Sequence, residues 1–232
     1  MVILARIASE TAPAARITSS PVMTPAAQMP ALSRSAVLAH FAAGDMLDQL
    51  VEEAVRMTNN NHDAVAYSRF FAHLMRDLYE AGRLQLSAAR DALRSLVERH
   101  RDRLGNRGRA LVDEALSYHT LDYRGATRQF GAACHVDMAG PLVIHILLHT
   151  EGFREANRVN ILASGDNCGR AVMLGAIAGA LYGVGGEHGI PEQWIERTTL
   201  LERLRGTDGG RLLLGSVPAE TGREAIASRS SR

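Results

Sequence analysis

Lysine is missing altogether: every one of the 26 basic residues is arginine. A chain without an ε-ammonium group cannot form a Schiff base with a carbonyl substrate, nor carry a phosphate-loop lysine. The arginine bias reads as genomic composition, not as a binding signal, because 25 acidic residues offset it to a net charge of +1. So even a balance sets up no global field toward nucleic acid or anionic lipid. Cysteine is nearly missing too, with Cys134 and Cys168 alone. Two thiols cannot build a disulfide framework, and they agree with a reducing compartment such as the cytoplasm. Aromatics supply only 5% of the chain, against 46% hydrophobic and 22% charged residues. That balance excludes a disordered, a collagen-like or a multi-span membrane protein. The apolar run 171–186 is uncharged for sixteen residues, short of the roughly twenty that a spanning helix needs. Sustained period-two alternation is absent, so essentially no sheet is expected, and no fixed-period repeat suggests a solenoid.

What is present is helical. Residues 1–30 stand apart: they lack periodicity, are rich in Ala, Ser, Thr and Pro, and hold one acid, Glu10, against Arg6 and Arg16. They read as a disordered leader, either a frayed terminus, which the composition favours, or an organelle transit segment. From 31 to 205 the spacing predicts one helical domain. In 45–57, Met46, Leu47, Leu50, Val51, Ala54 and Val55 follow the three-four rhythm of a buried face. The rhythm returns in 63–80, 87–100 and 109–119. Pro141 is expected to open a helix over 142–149, since a missing N–H costs nothing in a first turn. Helices over 151–162 and from Gly165 to about Gly183 follow, and a last one runs through Trp194, a core anchor, to about 205. Gly175, Gly179 and Gly183 share one face and are expected to let that helix approach its neighbours closely. The tail 206–232 is Gly/Ser/Arg-rich and reads as flexible.

Chemistry concentrates in 160–194. Ser164-Gly165-Asp166-Asn167 puts a turn and a carboxylate at the mouth of a glycine-rich helix, where Asp166 serves either as an N-cap or as a functional group. Arg170, one turn on, suits either a phosphate or an ion pair with Glu155 or Asp166. His145 and His149 share a helix face, and Cys134, His135 and Cys168 are candidates to join them around zinc, although a satisfied histidine pair is the commoner outcome. Asn59, Asn60 and Asn61 read as a turn and helix cap, with Asn60 a candidate cleft residue.

The runs GDNCGRAVMLGAIAGALYG (165–183) and GIPEQW (189–194) resemble the C-terminal signature of the ADP-ribosylglycohydrolase family, including its crystallin-like branch from cnidarian lenses. LVEEAVRMTNNNHDAVAYSRFFAHLMRDL (50–78) is similar to the middle of that family. GAACHVDMAGPLVIHILLHTEGFREANRVNILASGDN (131–167) is similar to its approach to the metal loop. The likeness runs from about Gln28 to Arg205. It implies an all-α orthogonal bundle that cleaves ADP-ribosyl linkages with two Mg²⁺ or Mn²⁺ ions. These hard cations need several oxygen ligands, drawn in the family from a Thr-Asp-Asp motif and a Gly-Asp-x-Asp-Thr/Ser motif.

By this resemblance Asp166 is a metal ligand, and Gly165, Asn167, Cys168, Arg170 and Asn60 are ligand-binding candidates. Two departures touch the chemistry. Cys168 stands where the second Asp belongs and Gly169 where the Thr/Ser belongs, and a thiolate is a poor partner for Mg²⁺. No counterpart of the Thr-Asp-Asp half is visible before Gln28, so the bundle is expected to be incomplete on its N-terminal side. Three readings follow: a family hydrolase with an incomplete site and no activity alone, a non-catalytic ADP-ribosyl-binding or crystallin-like structural protein, and a truncated fragment of an active enzyme. The implied partner is an ADP-ribosyl small molecule or an ADP-ribosylated protein, with neither nucleic acid nor membrane involved. Uncovered apolar faces would promote self-association.

Overall fold

The computed structural model describes residues 27–82, 86–119 and 122–199. Most of the expected leader and all of the expected tail lie outside these residues. Among those described, there are ten α-helices and no strand. In chain order they are α1 (Ser35–Phe41), α2 (Gly44–Arg56), α3 (His62–Ala81), α4 (Leu86–His100), α5 (Asn106–Ser117), α6 (Tyr123–Phe130), α7 (Val136–Leu148), α8 (Phe153–Leu162), α9 (Asn167–Tyr182) and α10 (Glu192–Glu196). The all-α expectation holds. Two of these helices, α1 and α6, are short and were not separately legible in the apolar rhythm.

Two helices carry the core. α3 starts where Asn61 accepts the N–H groups of Asp63 and Ala64, at 2.8 and 3.0 Å. It buries residues around much of its girth, and it packs against α1, α2, α4, α7 and α9. α7 is buried from Val136 through Leu148 apart from Met138, and neighbours α5, α6, α8 and α9 as well as α3. A helix hydrophobic all round must be central, because no face of it can meet water without loss. The outer helix α2 behaves differently. It buries Leu47, Val51 and Val55, whereas Met46, expected inside, is 63% exposed.

The start of α7 differs from expectation. Pro141 does not open the helix but sits in its interior, and His135 is the N-cap. Its Nδ1 accepts the N–H of Asp137 at 3.4 Å. The earlier start is set by a non-local contact. Val136 N–H donates to Ala27 O and Met29 N–H to Cys134 O, both at 2.9 Å, which fixes the entry into the helix. Pro141 then deprives the Asp137 carbonyl, four residues back, of its helical donor. For the same reason the boundary of the leader moves: Ala27 and Met29 are fully buried core residues, although they fall within 1–30.

Tyr67 of α3 locks α5 and α7 together. Its ring lies between Gly108 and Gly140, where added Cβ atoms would approach it to 3.1 and 2.6 Å. Burial, with help from the neighbouring Asp137 carboxylate, pushes its phenol well above the ordinary range.

Two further expectations are corrected. The glycine stripe of α9 allows close approach only in part: a Cβ on Gly179 would meet Ile190 Cδ1 at 3.3 Å, whereas one on Gly175 would meet nothing within 4 Å. The buried face is instead Met173, Leu174, Ile177 and Leu181, since large side chains gain more from burial than glycine does. Trp194 is 42% exposed and touches Phe153 edge-on at 6.0 Å. It sits on a helix of only five residues, too short to drive an anchor into the core.

Candidate functional site

α8 reverses into α9 through Ser164 and Gly165, whose φ angles are +59° and +63°. A Cβ on Gly165 would lie 2.1 Å from the Ala132 carbonyl oxygen. That oxygen accepts the N–H of Asp166 at 2.9 Å. The loop 131–135 is thereby fastened to the mouth of α9, while its other edge pairs with residues 27–29. Three segments distant in sequence meet at one point.

Asp166 caps α9, with Oδ1 accepting the N–H of Gly169 at 3.0 Å. Gly169 makes this possible: a Cβ there would fall 2.1 Å from Asp166 Oδ2. A threonine or serine at 169 would therefore push the carboxylate off the helix end, whereas glycine leaves it folded over. Asn167 uses its backbone oxygen to accept from Asn160 Nδ2 at 2.9 Å and its side-chain amide to donate to Gly165 O at 3.4 Å. Cys168 is exposed, its thiol donating to Asn167 Oδ1 at 3.7 Å.

Arg170 is fully buried. Its Nε donates to Asn160 Oδ1 at 2.8 Å, and Nη2 donates to Asn160 O at 3.1 Å and to Ser164 O. Nη1 reaches Ala132 O at 3.5 Å. The expected ion pair with Glu155 or Asp166 is not formed among the described residues, because carbonyls of the turn surround the guanidinium first. Burial lowers its pKa from the usual arginine value, and the charge of Asp166 partly offsets this. Arg170 thus ties α8, the 163–166 turn and the 131–135 loop together, with its guanidinium fully buried among their oxygens.

Asn60 is exposed before α3 and accepts from Arg56 Nη1 at 3.0 Å; among the described residues no hydrogen bond links it to the Asp166 turn. Its neighbours do the capping work: Asn61 caps α3, and Asn59 is buried with its Oδ1 accepting from the Thr58 hydroxyl at 2.9 Å. The suggested zinc set does not assemble. His135 is at the N-terminal end of α7, and His145 and His149 are at its C-terminal end. Among the described residues no three His, Cys, Asp or Glu side chains gather as metal ligands.

Sequence reasoning missed Asn160 and Ala132, which complete the framework around Arg170. An Asn at a helix end and an Ala in a loop carry no distinguishing signal. The turn Ser164–Asn167 and Arg170 marked the place.

The family profile of ADP-ribosylglycohydrolase covers residues 2–219, and the chain belongs to this family. The match also takes in the stretch before Gln28, where no family motif was visible by eye. Among curated proteins the chain is similar to crystallin J1A of Tripedalia cystophora. The two are 29% identical over 163 residues, which is 70% of this chain and 47% of that protein. The chain spans about half the length of the curated relative it matches.

The family is generally metal-dependent, and the donor set at α9 fits a pair of hard cations poorly. Asp166 has one oxygen committed to the helix end, Cys168 offers soft sulfur, and Gly169 offers no side chain.

Proposed function

We propose that this chain keeps the family's frame for an ADP-ribosyl group at the mouth of α9 but does not by itself hydrolyse the linkage. The observation that carries this reading is the state of Asp166, whose carboxylate closes over the helix in the space that Gly169 leaves open. Gly165, Asn167 and Cys168 border the same turn and are the nearest candidates for ligand contact, with Arg170 holding their backbone in place. The ligand would be a free ADP-ribosyl compound or an ADP-ribosylated protein. Mg²⁺ or Mn²⁺ would bind weakly, if a second carboxylate is needed to hold it. The cytoplasm suits the free thiols Cys134 and Cys168, and no helix among the described residues is long and apolar enough to cross a membrane.

The test is calorimetric titration with ADP-ribose beside a turnover assay on ADP-ribosylated arginine and serine substrates. Saturable binding without turnover supports the reading. Turnover abolished by chelator and by Asp166→Ala would refute it. The double variant Cys168→Asp/Gly169→Thr should bind Mg²⁺ or Mn²⁺ more tightly than the parent and remain inactive.

The similarity to a crystallin favours a second reading, a structural role without ligand. It predicts that ADP-ribose does not bind at all. A third reading draws on the chain's coverage of only 47% of that relative: another polypeptide segment completes the metal site. It predicts metal-dependent turnover once that segment is supplied.

A further inference from the structure

Arg69, His73 and Asp77 follow one another at four-residue steps along α3, so they share one face of a helix that is buried around much of its girth. α2 presents Asp48 to that stripe. The end of α4 presents His100, followed by the short turn Arg101–Arg103. Each imidazole takes one carboxylate. His73 Nε2 lies 2.9 Å from Asp48 Oδ1, and His100 Nε2 lies 2.9 Å from Asp77 Oδ2. The two rings are themselves neighbours, with centroids 5.6 Å apart, and both residues are buried.

Cations outnumber anions around this pair. Asp48 Oδ2 also accepts from Arg103 Nη1 at 3.0 Å, and Arg69 Nε lies 3.8 Å from Asp48 Oδ1. Asp77 Oδ2 also accepts from Arg99 Nη1 at 2.8 Å. Glu52 is one step further out, taken up by Arg69 and Arg56, each at 2.6 Å. The other nearby charges are engaged elsewhere: Arg76 with Glu80, Arg109 with Asp102 at 2.7 Å, and Arg101 with Asp113. His40 of α1 lies against Phe41 and Tyr79, and among the described residues no ion pair from α7 or α9 reaches the two rings. Asp48 and Asp77 thus face Arg69, Arg99 and Arg103 before either histidine takes a proton. Charging both imidazoles would add two more cations to the same two carboxylates.

We propose that His73 and His100 form a proton-operated latch: the pair holds one proton with the corner 99–103 docked, and taking up the second releases Arg99 and Arg103, and the corner with them, from α2 and α3. Like charges this close inside a protein repel strongly, and the proton uptakes of so coupled a pair lie about one pH unit or more apart. Burial also holds His100 below the ordinary histidine range; Asp77 opposes this, and the charges of His73 and Arg103 add to the lowering. A histidine held low supports the closed form at neutral pH and loses that contribution as pH falls through its folded value. The release falls on the arginines because they can reach water. The imidazoles are fixed on the buried faces of two helices, whereas the side chains of Arg99 and Arg103 are 63% and 35% exposed. The ties of the corner to α5, Arg101–Asp113 and Arg109–Asp102, contain no histidine and stay closed in mild acid. The corner therefore opens on the side of α2 and α3 alone, in the window of about pH 5 to 7 where histidine titrates.

The experiment follows the histidine ring C–H signals of the full chain by NMR from about pH 8 to about pH 4.5. Beside it, hydrogen exchange by mass spectrometry covers 97–104, corrected for the intrinsic pH dependence of exchange. The two rings should titrate in linked steps, each reporting both. Protection over 97–104 should fall about tenfold or more at the second step, while α7 stays protected. His73→Gln keeps a donor for Asp48 but cannot take a proton. It should raise the midpoint of His100 and abolish the loss of protection down to about pH 5. His100→Gln should abolish that loss equally, and the parent titration with its exchange decides the matter if neither variant folds. Independent titration of the two rings, a His100 midpoint unchanged in His73→Gln, or protection over 97–104 that is flat with pH would each overturn the proposal. A loss spread equally over all helices would overturn it in favour of acid unfolding of the whole chain.

Discussion

Arg170→Met tests whether the site is held by a buried guanidinium. The side chain is fully buried and makes three close hydrogen bonds to Asn160 and Ser164, plus a longer one to Ala132. Hydrogen bonds to charged groups contribute about 1.5–3 kcal/mol each, and an acceptor left buried and unmet costs about 1–3 kcal/mol. Methionine refills most of the volume and removes the cost of burying a charge, which offsets part of that sum. A net loss of about 3 kcal/mol is expected, which for a chain of this length lowers the midpoint by roughly 6–12 °C. Urea unfolding followed by far-UV circular dichroism measures the loss. Hydrogen exchange at the Asp166 amide, which bonds Ala132 O at 2.9 Å, reports whether the two loops separate. Arg170→Lys should fall between parent and methionine, since a compact ammonium cannot span oxygens on three segments. A loss below about 1 kcal/mol for Arg170→Met, with the Asp166 amide still protected, would refute the reasoning.

Gly140→Ala should destabilise by about 2–3 kcal/mol through overpacking, because its Cβ would meet Tyr67 Cε1 at 2.6 Å and Gly108 blocks retreat on the other side. The loss should shrink when Tyr67→Leu is added, and denaturant titration of the double-mutant cycle would show it. Acid should weaken the fold in two stages. His100 bonds Asp77 Oδ2 at 2.9 Å, yet burial holds its pKa below 6.5, against the raising effect of Asp77. A depressed histidine contributes stability that is full above 6.5 and is lost as pH falls through its folded value. For Asp48 and Asp77, burial raises the pKa, but hydrogen bonds from His73 and His100 and the charges of Arg103 and Arg99 outweigh it, leaving both below 3.8. Their contribution is present above 3.8 and is lost below it. Chemical denaturation from pH 7.5 to pH 3 should show both declines, with the first one absent in His100→Gln.

Much of the helical content was legible because an amphipathic helix writes its own three-four rhythm into the chain. The helices now labelled α2, α3, α4, α8 and α9 lie within a few residues of their expected bounds. Asn61 and Asp166 were readable as caps, since capping joins a side chain to N–H groups two or three residues away. Such interactions are local, and local order is what sequence by itself determined here. Contacts between distant segments were not readable. The start of α7 depends on Ala27 and Met29, more than a hundred residues upstream, so Pro141 looked like a helix opening when it is interior. Arg170 looked ready for a phosphate or a carboxylate until Ala132 and Asn160 closed around it. The almost fully buried, all-round apolar setting of α7 depends on where its neighbouring helices pack. Only the tertiary structure decided these points, because each turns on which oxygen or side chain reaches a group first in space, and spacing along the chain does not encode that distance.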